Sequence, residues 1–178
     1  MASLVWPSSG LSSAGVPIYY LERVVHDFDE CSDGGLKECE MGTKCLTYVF
    51  DEKRRPIVCV SRQFDGDPSS HGEDLKSILL GIPIENGIPV GSENRLMFNG
   101  MEELAAILVR RLMDECPRGD IDLVPPVWPP EDHGQEYVWV VLGRVGEYAT
   151  VYYTHVCNGK WVYWFGLHTV PPKWLNYT

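Results

Sequence analysis

The most constraining feature of this sequence is a pair of strand-like runs followed by a dense polar loop and a helical pattern. Cys45–Phe50 and Ile57–Gln63 are rich in β-branched and aromatic side chains, which favours strands. The polar run 51–56 between them predicts a hairpin connection, with Pro56 placed where its missing N–H does least harm. The loop at residues 64–70 therefore follows a strand end and precedes a helix, where folds often present reactive groups.

Apolar residues at helical spacing predict the helices. Ser70 followed by Glu73 has the pattern of a capping box, and Asn99 with Glu102 resembles a second helix start. The second helix is expected to run to about Glu115, because Pro117 ends it. The apolar positions of the three predicted helices are Leu21, Val24, Val25 and Phe28; Leu75, Ile78 and Leu79; and Leu104, Ile107, Leu108 and Leu112.

Three strands are predicted in the last third of the chain, in addition to a short one at Ile121–Val124. They are Glu136–Leu142, Tyr148–Cys157 and Lys160–Phe165, with Asn158-Gly159 as a two-residue turn between the last two. We therefore expect an α+β fold, mainly an antiparallel sheet with a C-terminal meander, and two or three short helices packed on one face.

Composition suggests four segments in this chain of 178 residues. Residues 1–17 are rich in Ser, Gly and Pro and are expected to form an extended N-terminal arm. Residues 18–40 hold a short helix and a glycine-rich linker, 41–170 a single α+β domain, and 171–178 a C-terminal tail.

The formal net charge of −10 bears on the partners. Nonspecific nucleic-acid binding needs a basic face, and the compact basic cluster Lys53–Arg55 lies in the predicted hairpin turn. Anionic membrane surfaces are disfavoured for the same reason, and no apolar run approaches the roughly 20 residues of a spanning helix. The start of the chain lacks the basic and apolar regions of a signal peptide. We expect protein partners or a homo-oligomer, no nucleic acid and no membrane, in a cytoplasmic or virion-associated protein that is not secreted.

The six cysteines lack the Cys-x-x-Cys spacing of a structural zinc site, so such a site has no support. Neither a metal nor a cofactor is expected. Cys45 and Cys59 lie in apolar strands, where a free Cys behaves as a small hydrophobe. A reactive thiolate at these positions or at Cys157, paired with a histidine, is the less favoured interpretation.

The polar loop supports two interpretations. In an enzyme, His71 would act as general acid or base, Asp65 would orient it, and Arg62 would hold an anionic substrate. The structural alternative is a turn built from Asp, Gly and Pro ahead of a helix whose acidic first turn suits its dipole. A metal site using Asp65, Asp67 and Glu73 is weaker, because the spacing is not that of a calcium loop.

Aromatic residues crowd the C-terminal hairpins. Alternation along the last strand places Trp161, Tyr163 and Phe165 on one face and Val162 with Trp164 on the other. Both faces are therefore apolar, so each needs a cover from this chain or from another protein. Trp174 and Trp6 on the two tails are further candidate interface anchors.

Several separate blocks of the chain resemble an uncharacterised protein family of viruses and microbes with no established activity. The blocks are Met41–Lys44, Arg62–Pro68 with His71-Gly72, Asn99–Met101 with Leu104–Ala106, and Leu123–Pro126 leading into Glu136–Val138. Members of that family often carry Gly-Thr-Arg, then Tyr-Arg-Gln-Phe-Asp-Gly-Tyr-Pro and Gly-His-Gly. This chain has Lys44, Asp67 and Ser70 where Arg, Tyr and Gly are usual. The resemblance implies a shared fold.

Two functions follow as hypotheses. The leading one is a non-enzymatic interaction module that docks into a larger protein assembly, a virion or similar complex, through the aromatic residues Trp161, Tyr163, Trp164, Trp174 and Trp6. The alternative is a small hydrolase or ligand-binding enzyme that uses Arg62, Asp65 and His71.

Overall fold

A computed structural model describes residues 42–87, 96–116 and 118–176 of the chain. Its helices and strands, in chain order, are β1 (Cys45–Phe50), β2 (Pro56–Arg62), α1 (His71–Leu79), β3 (Ile84–Glu85), β4 (Phe98–Asn99), α2 (Gly100–Glu115), β5 (Ile121–Val124), β6 (Tyr137–Leu142), β7 (Thr150–His155) and β8 (Val162–Phe165). The predicted α+β fold with a mainly antiparallel sheet is confirmed. The predicted helix near residues 21–28, the arm and Trp6 lie outside the described residues.

The main sheet has six strands in the order β5-β2-β1-β6-β7-β8. The central pair β1 and β6 is parallel, and every other neighbouring pair is antiparallel. All six residues of β1 are buried, which suits its central place and its nearly continuous apolar sequence. The short strands β3 and β4 form a separate two-stranded parallel sheet.

Both helices pack on one face of the main sheet. Leu75 and Leu79 of α1 and Leu104, Leu108 and Leu112 of α2 are each at most 1% exposed. They share a core with inward-facing strand residues, namely Cys45, Val49, Val60, Trp139, Val141, Val151 and Phe165. The helical spacing visible in the sequence therefore marks the residues that cover this face.

The opposite face of the sheet is covered by the chain itself. Tyr48 and Phe50 pack edge-on against Trp128, which follows the Pro-rich segment after β5. Past β8, a 3-10 turn at Lys173–Leu175 returns to this face, and Leu175 is fully buried. The indole N–H of Trp161 donates to the carbonyl of Leu175 at 3.1 Å, so the end of the described chain is tied down.

The β7–β8 connection differs from the predicted two-residue turn. Strand β7 ends at His155 and β8 begins at Val162, while the N–H groups of Asn158 and Gly159 both donate to the His155 carbonyl. The prediction was wrong because strand pairing stops before the Asn-Gly pair. Gly159 keeps the positive φ that the pair suggested, at 60°.

A register shift between Val151 and Tyr152 corrects one predicted face. It aligns Val151 with Phe165 and Tyr152 with Tyr163, although these pairs differ in spacing along the two strands. The irregularity sends Phe165 into the helix-side core, while Tyr163 packs on the other face. Strict alternation was wrong for Phe165 because a bulge adds a residue to one strand.

The predicted capping box at α1 does not form. Ser70 makes no side-chain hydrogen bond to the helix N–H groups, and Glu73 pairs with Lys76 instead. The loop carbonyls of Asp65 and Asp67 accept from the N–H groups of the first helical residues, so the loop backbone caps the helix.

At α2, the N–H of Asn99 donates to Glu103 rather than to the predicted Glu102. Neither helix of the described chain has the length and hydropathy needed to cross a bilayer.

Candidate functional site

The predicted loop residues meet in a buried polar cluster between β1, β2 and α1. Arg62 ends β2 and His71 begins α1, and the Nη1 of Arg62 lies 3.1 Å from the Nδ1 of His71. The same Nη1 donates to Asp74 at 2.6 Å, one turn further along α1. On the other side of the ring, the Nε2 of His71 lies 2.7 Å from the hydroxyl of Thr47 on β1.

These contacts determine the tautomer and the protonation state of His71. A guanidinium can only donate, so Nδ1 is the accepting nitrogen and Nε2 carries the proton that it donates to Thr47. His71 is fully buried. Burial, and secondarily the positive charge of Arg62, lowers the pKa of His71 to about 3. The imidazole is therefore neutral, with both nitrogens engaged.

Arg62 is 6% exposed and joins two carboxylates. Burial works to lower its pKa, but the bond to Asp74 and the charge of Asp120 raise it above its ordinary value. Its buried Nε lies 3.3 Å from Asp120, which makes an ion pair without the geometry of a hydrogen bond. Both ion pairs of the Arg62 guanidinium are therefore formed with carboxylates of its own domain.

Asp120 also closes the end of β2. Its Oδ1 accepts from the N–H groups of Gln63 at 3.0 Å and Phe64 at 2.9 Å. Asp120 is 3% exposed and immediately precedes β5. The loop that follows β2 is thus attached to the edge strand by the same carboxylate that neutralises Arg62.

Two tryptophans hold the loop from below. The indole N–H of Trp139 on β6 donates to the Gly66 carbonyl at 3.0 Å, and that of Trp164 on β8 donates to Gly72 at 2.9 Å. A Cβ at Gly72 would lie 2.8 Å from atoms of both indoles. Glycine is needed there because the rings approach the backbone directly.

The two predicted acids of the loop remain near solvent. Asp65 is exposed and has a φ of 53°, in the left-handed region that Asp tolerates in turns. Asp67 is half-buried and accepts from the N–H and hydroxyl of Ser69. Within the described residues, no group of three His, Cys, Asp or Glu side chains is arranged to hold a metal ion.

Two clefts of the described structure lie away from this cluster. One, of about 590 Å³, is lined by residues of the 130–135 segment, β7 and the tail, including Trp161 and Leu175. The other, of about 280 Å³, lies near the β1–β2 turn and includes Arg54, Tyr152 and Trp174. The Arg62–His71 loop lines neither of them.

The predicted docking residues are partly enclosed. Trp161 is 8% exposed, whereas Tyr163, Trp164 and Trp174 are half-buried. Trp174 packs on Phe50 and under the guanidinium of Arg54. The aromatic residues at the C-terminal end therefore pack mainly in the core. Tyr163, Trp164 and Trp174 keep part of their surface exposed.

Three partners of the loop were not predicted from the sequence: Asp74, Asp120 and Trp139. Asp74 was visible as the residue one turn after His71, where an acid can contact a neighbouring strand. Asp120 lies more than 50 residues beyond Arg62, and no local pattern connects the two.

The thiols at the sheet centre are held protonated. Burial raises the pKa of Cys45, and it raises that of Cys59 to about 11. Neither has the electropositive, open setting of a nucleophile. The four described cysteines are free, and Cys157 is the exposed one.

Comparison of the chain with protein-family models, curated proteins and solved structures gave no match. The resemblance described above stays a prediction.

The state of His71 predicts a pH dependence of stability. Its pKa is about 3 in the folded protein and near 6.5 in the unfolded chain, so the unfolded chain binds the extra proton between these values. The free energy of unfolding should fall by about 2 kcal/mol between roughly pH 8 and pH 5, before most carboxylates titrate. Urea denaturation across this range measures the loss.

A His71→Gln variant provides the comparison for that measurement. It should be less stable than the wild type at neutral pH and should lose less stability on acidification, because it cannot take up the proton. Equal losses in both proteins would contradict the assignment of the pH dependence to His71.

Proposed function

We propose that this protein is a non-enzymatic interaction module that docks into a larger protein assembly, a virion or similar complex, through its C-terminal hairpin and tail. The partner is another protein or a second copy of the chain, met in the cytoplasm or in the assembled particle. The first support comes from the Arg62–His71 loop. The polar atoms of Arg62 and His71 already bind each other, Asp74 and Thr47, so they are not free to bind a substrate.

The observation that carries the proposal is the exposed apolar surface after β7. Strand β8 is an edge strand, and within the described chain it pairs only with β7. Val162 on β8 is 37% exposed, and Leu167 and Val170 on the segment that follows β8 are 47% and 76% exposed. Exposed apolar side chains on an edge strand and on the segment that follows it are typical of a protein-binding surface.

The alternative, a small hydrolase or ligand-binding enzyme, has less support. A general base must exchange protons with a substrate, whereas His71 is fully enclosed and both its nitrogens already have partners. Asp65 is exposed but lies in a turn, where its conformation has a local explanation.

Light scattering on fractions from size-exclusion chromatography tests the proposal. The wild-type chain is mixed with an extract of its natural host and compared with the double variant Leu167→Asp/Val170→Asp. The wild type should elute in a particle larger than the monomer, and the double variant should return to monomer size, because charge on this surface cannot be buried.

A Met113→Asp variant is the matched control, because Met113 is a 59% exposed apolar residue on α2. It should behave like the wild type. A wild-type chain that elutes as a monomer both alone and in the extract would overturn the proposal. Equal loss of the particle in the Met113 variant would overturn the assigned surface.

A further inference from the structure

A second aromatic surface lies on the helix side of the sheet, beside the start of α1. It consists of Tyr137 on β6, Tyr153 and His155 on β7, and Trp164 on β8, and we call it the Tyr137 surface. All four side chains are half-buried. The start of α1 packs against Trp164 through Gly72, and all four side chains keep part of their surface accessible to solvent.

The rings of the Tyr137 surface form one continuous group. The ring centroids of Tyr137 and His155 are 4.9 Å apart, those of Tyr137 and Tyr153 6.2 Å, and those of Tyr153 and Trp164 5.8 Å. Buried Trp139 lies beneath, with its centroid 4.8 Å from that of Tyr153. The group is thus held in position by packing, which lowers the entropy lost when a ligand is bound.

Two carboxylate residues lie near this surface: Glu136 immediately precedes Tyr137, and Asp67 follows Gly66, which accepts from the indole of Trp139. Asp67 and Glu136 both act electrostatically on Tyr137, and with burial as the leading cause they raise the pKa of its phenol. Burial works to raise the pKa of Asp67 itself, but hydrogen bonds from Ser69 and Ser70 hold it below the usual value. Within the described chain, neither Asp67 nor Glu136 forms an ion pair, and Glu136 is exposed.

The phenol groups of the Tyr137 surface differ in their hydrogen bonding from the tyrosines on the opposite face of the sheet. The hydroxyl of Tyr152 donates to the carbonyls of His168 and Val170, and that of Tyr163 donates to Gly166. The hydroxyls of Tyr137 and Tyr153 have no hydrogen-bond partner among the described residues. They are available as acceptors for a donor that approaches from outside.

We infer that the Tyr137 surface binds an arginine side chain of the docking partner. The inference rests on the proposed function, since it takes the cation to belong to the protein partner. A guanidinium stacks on aromatic faces and donates to carboxylates and hydroxyls at the same time, which matches the rings, Asp67 and Glu136. An ammonium is more strongly hydrated and lacks the planar face, so lysine is the poorer ligand.

Calorimetric titration with a capped tetra-arginine peptide at roughly physiological salt tests the inference. The wild type should bind it several-fold more tightly than it binds tetra-lysine. Tyr137→Ala and Asp67→Asn should each weaken tetra-arginine binding by roughly three- to tenfold. Tyr137→Phe keeps the ring and should lose less than Tyr137→Ala. Thermal unfolding of each variant checks that it is folded.

Asp122→Asn is the matched control, because Asp122 is an exposed acid on β5 at the opposite edge of the sheet. It should bind tetra-arginine like the wild type. Equal weakening by Asp122→Asn, or equal binding of tetra-lysine, would show nonspecific attraction to a chain of net charge −10 and would overturn the inference.

The two proposals fail separately. A wild-type chain that assembles in the host extract but does not bind tetra-arginine overturns the inference about arginine alone. A chain that binds tetra-arginine specifically but stays monomeric in the extract overturns the proposed function and the assignment of the arginine to a docking partner, while the preference of the surface for a guanidinium group stands.

Discussion

Replacing Arg62 with methionine is expected to lower the free energy of unfolding by about 3–5 kcal/mol. Methionine fills much of the space of the arginine stem, so the loss comes chiefly from the charge. Asp120 would remain 3% exposed with no cation beside it, and Asp74 would lose its 2.6 Å partner. The ring of His71 would also lose the donor to Nδ1. Urea denaturation at neutral pH measures the effect.

Arg55→Met is the control for that substitution. Arg55 also forms a 2.6 Å ion pair with buried Asp51, but the Arg55 side chain is 69% exposed, and in the variant the backbone N–H groups of residues 53 and 55 still bind the carboxylate. Solvent screening and side-chain entropy limit such a pair to about 1 kcal/mol or less. A loss at Arg62 no larger than the loss at Arg55 would contradict the buried-network assignment.

The double variant Arg62→Met/Asp120→Asn separates charge from packing. The amide oxygen introduced by Asp120→Asn can still accept from the N–H groups of Gln63 and Phe64 without leaving a buried charge. The double variant should therefore be more stable than Arg62→Met alone, and a double-mutant cycle with Asp120→Asn should give a coupling energy of roughly 0.5–3 kcal/mol between the two sites.

Replacing Trp139 with alanine is expected to cost about 3–5 kcal/mol of stability. Trp139 is fully buried and contacts His71, Tyr153 and Trp164 through its ring. Its removal leaves a cavity beneath the loop and also deprives the Gly66 carbonyl of its donor. The loss should appear in the same urea denaturation measurement.

Two further variants make that result specific. Trp139→Phe retains most of the ring volume but not the N–H, so it should cost about 1–3 kcal/mol, a range typical of an unsatisfied buried group. Trp174→Ala removes a half-buried indole from the other face and should cost less than Trp139→Ala. A larger loss at Trp174 would contradict the view that Trp139 supports the loop.

Much of the main sheet could be predicted because its signals are local. The predicted strand Cys45–Phe50 coincides with β1, and the predicted short strand Ile121–Val124 coincides with β5. Predictions about exact contacts were less successful. The Asn-Gly turn and the face of Phe165 depended on where pairing stopped and where a bulge occurred, which residue types alone do not determine.

In the candidate site, too, the residue types could be read from the sequence, whereas their contacts depended on the tertiary structure. The sequence predicted a group of titratable residues in the loop; of the three enzyme candidates, the structure joins Arg62 and His71 and leaves Asp65 exposed. Whether His71 is a base or a neutral packing element depends on burial and on Arg62, and that depends on Asp120 from a distant part of the chain.

The sequence by itself determined the approximate positions of the strands of the main sheet and of both described helices, because backbone preference and apolar spacing act over a few residues. It also determined the formal net charge of −10. Only the tertiary structure decided which rings became core and which stayed at the surface, and which charges were neutralised. Burial and charge pairing join residues far apart in the chain, so they exist only once the sheet has brought those residues together.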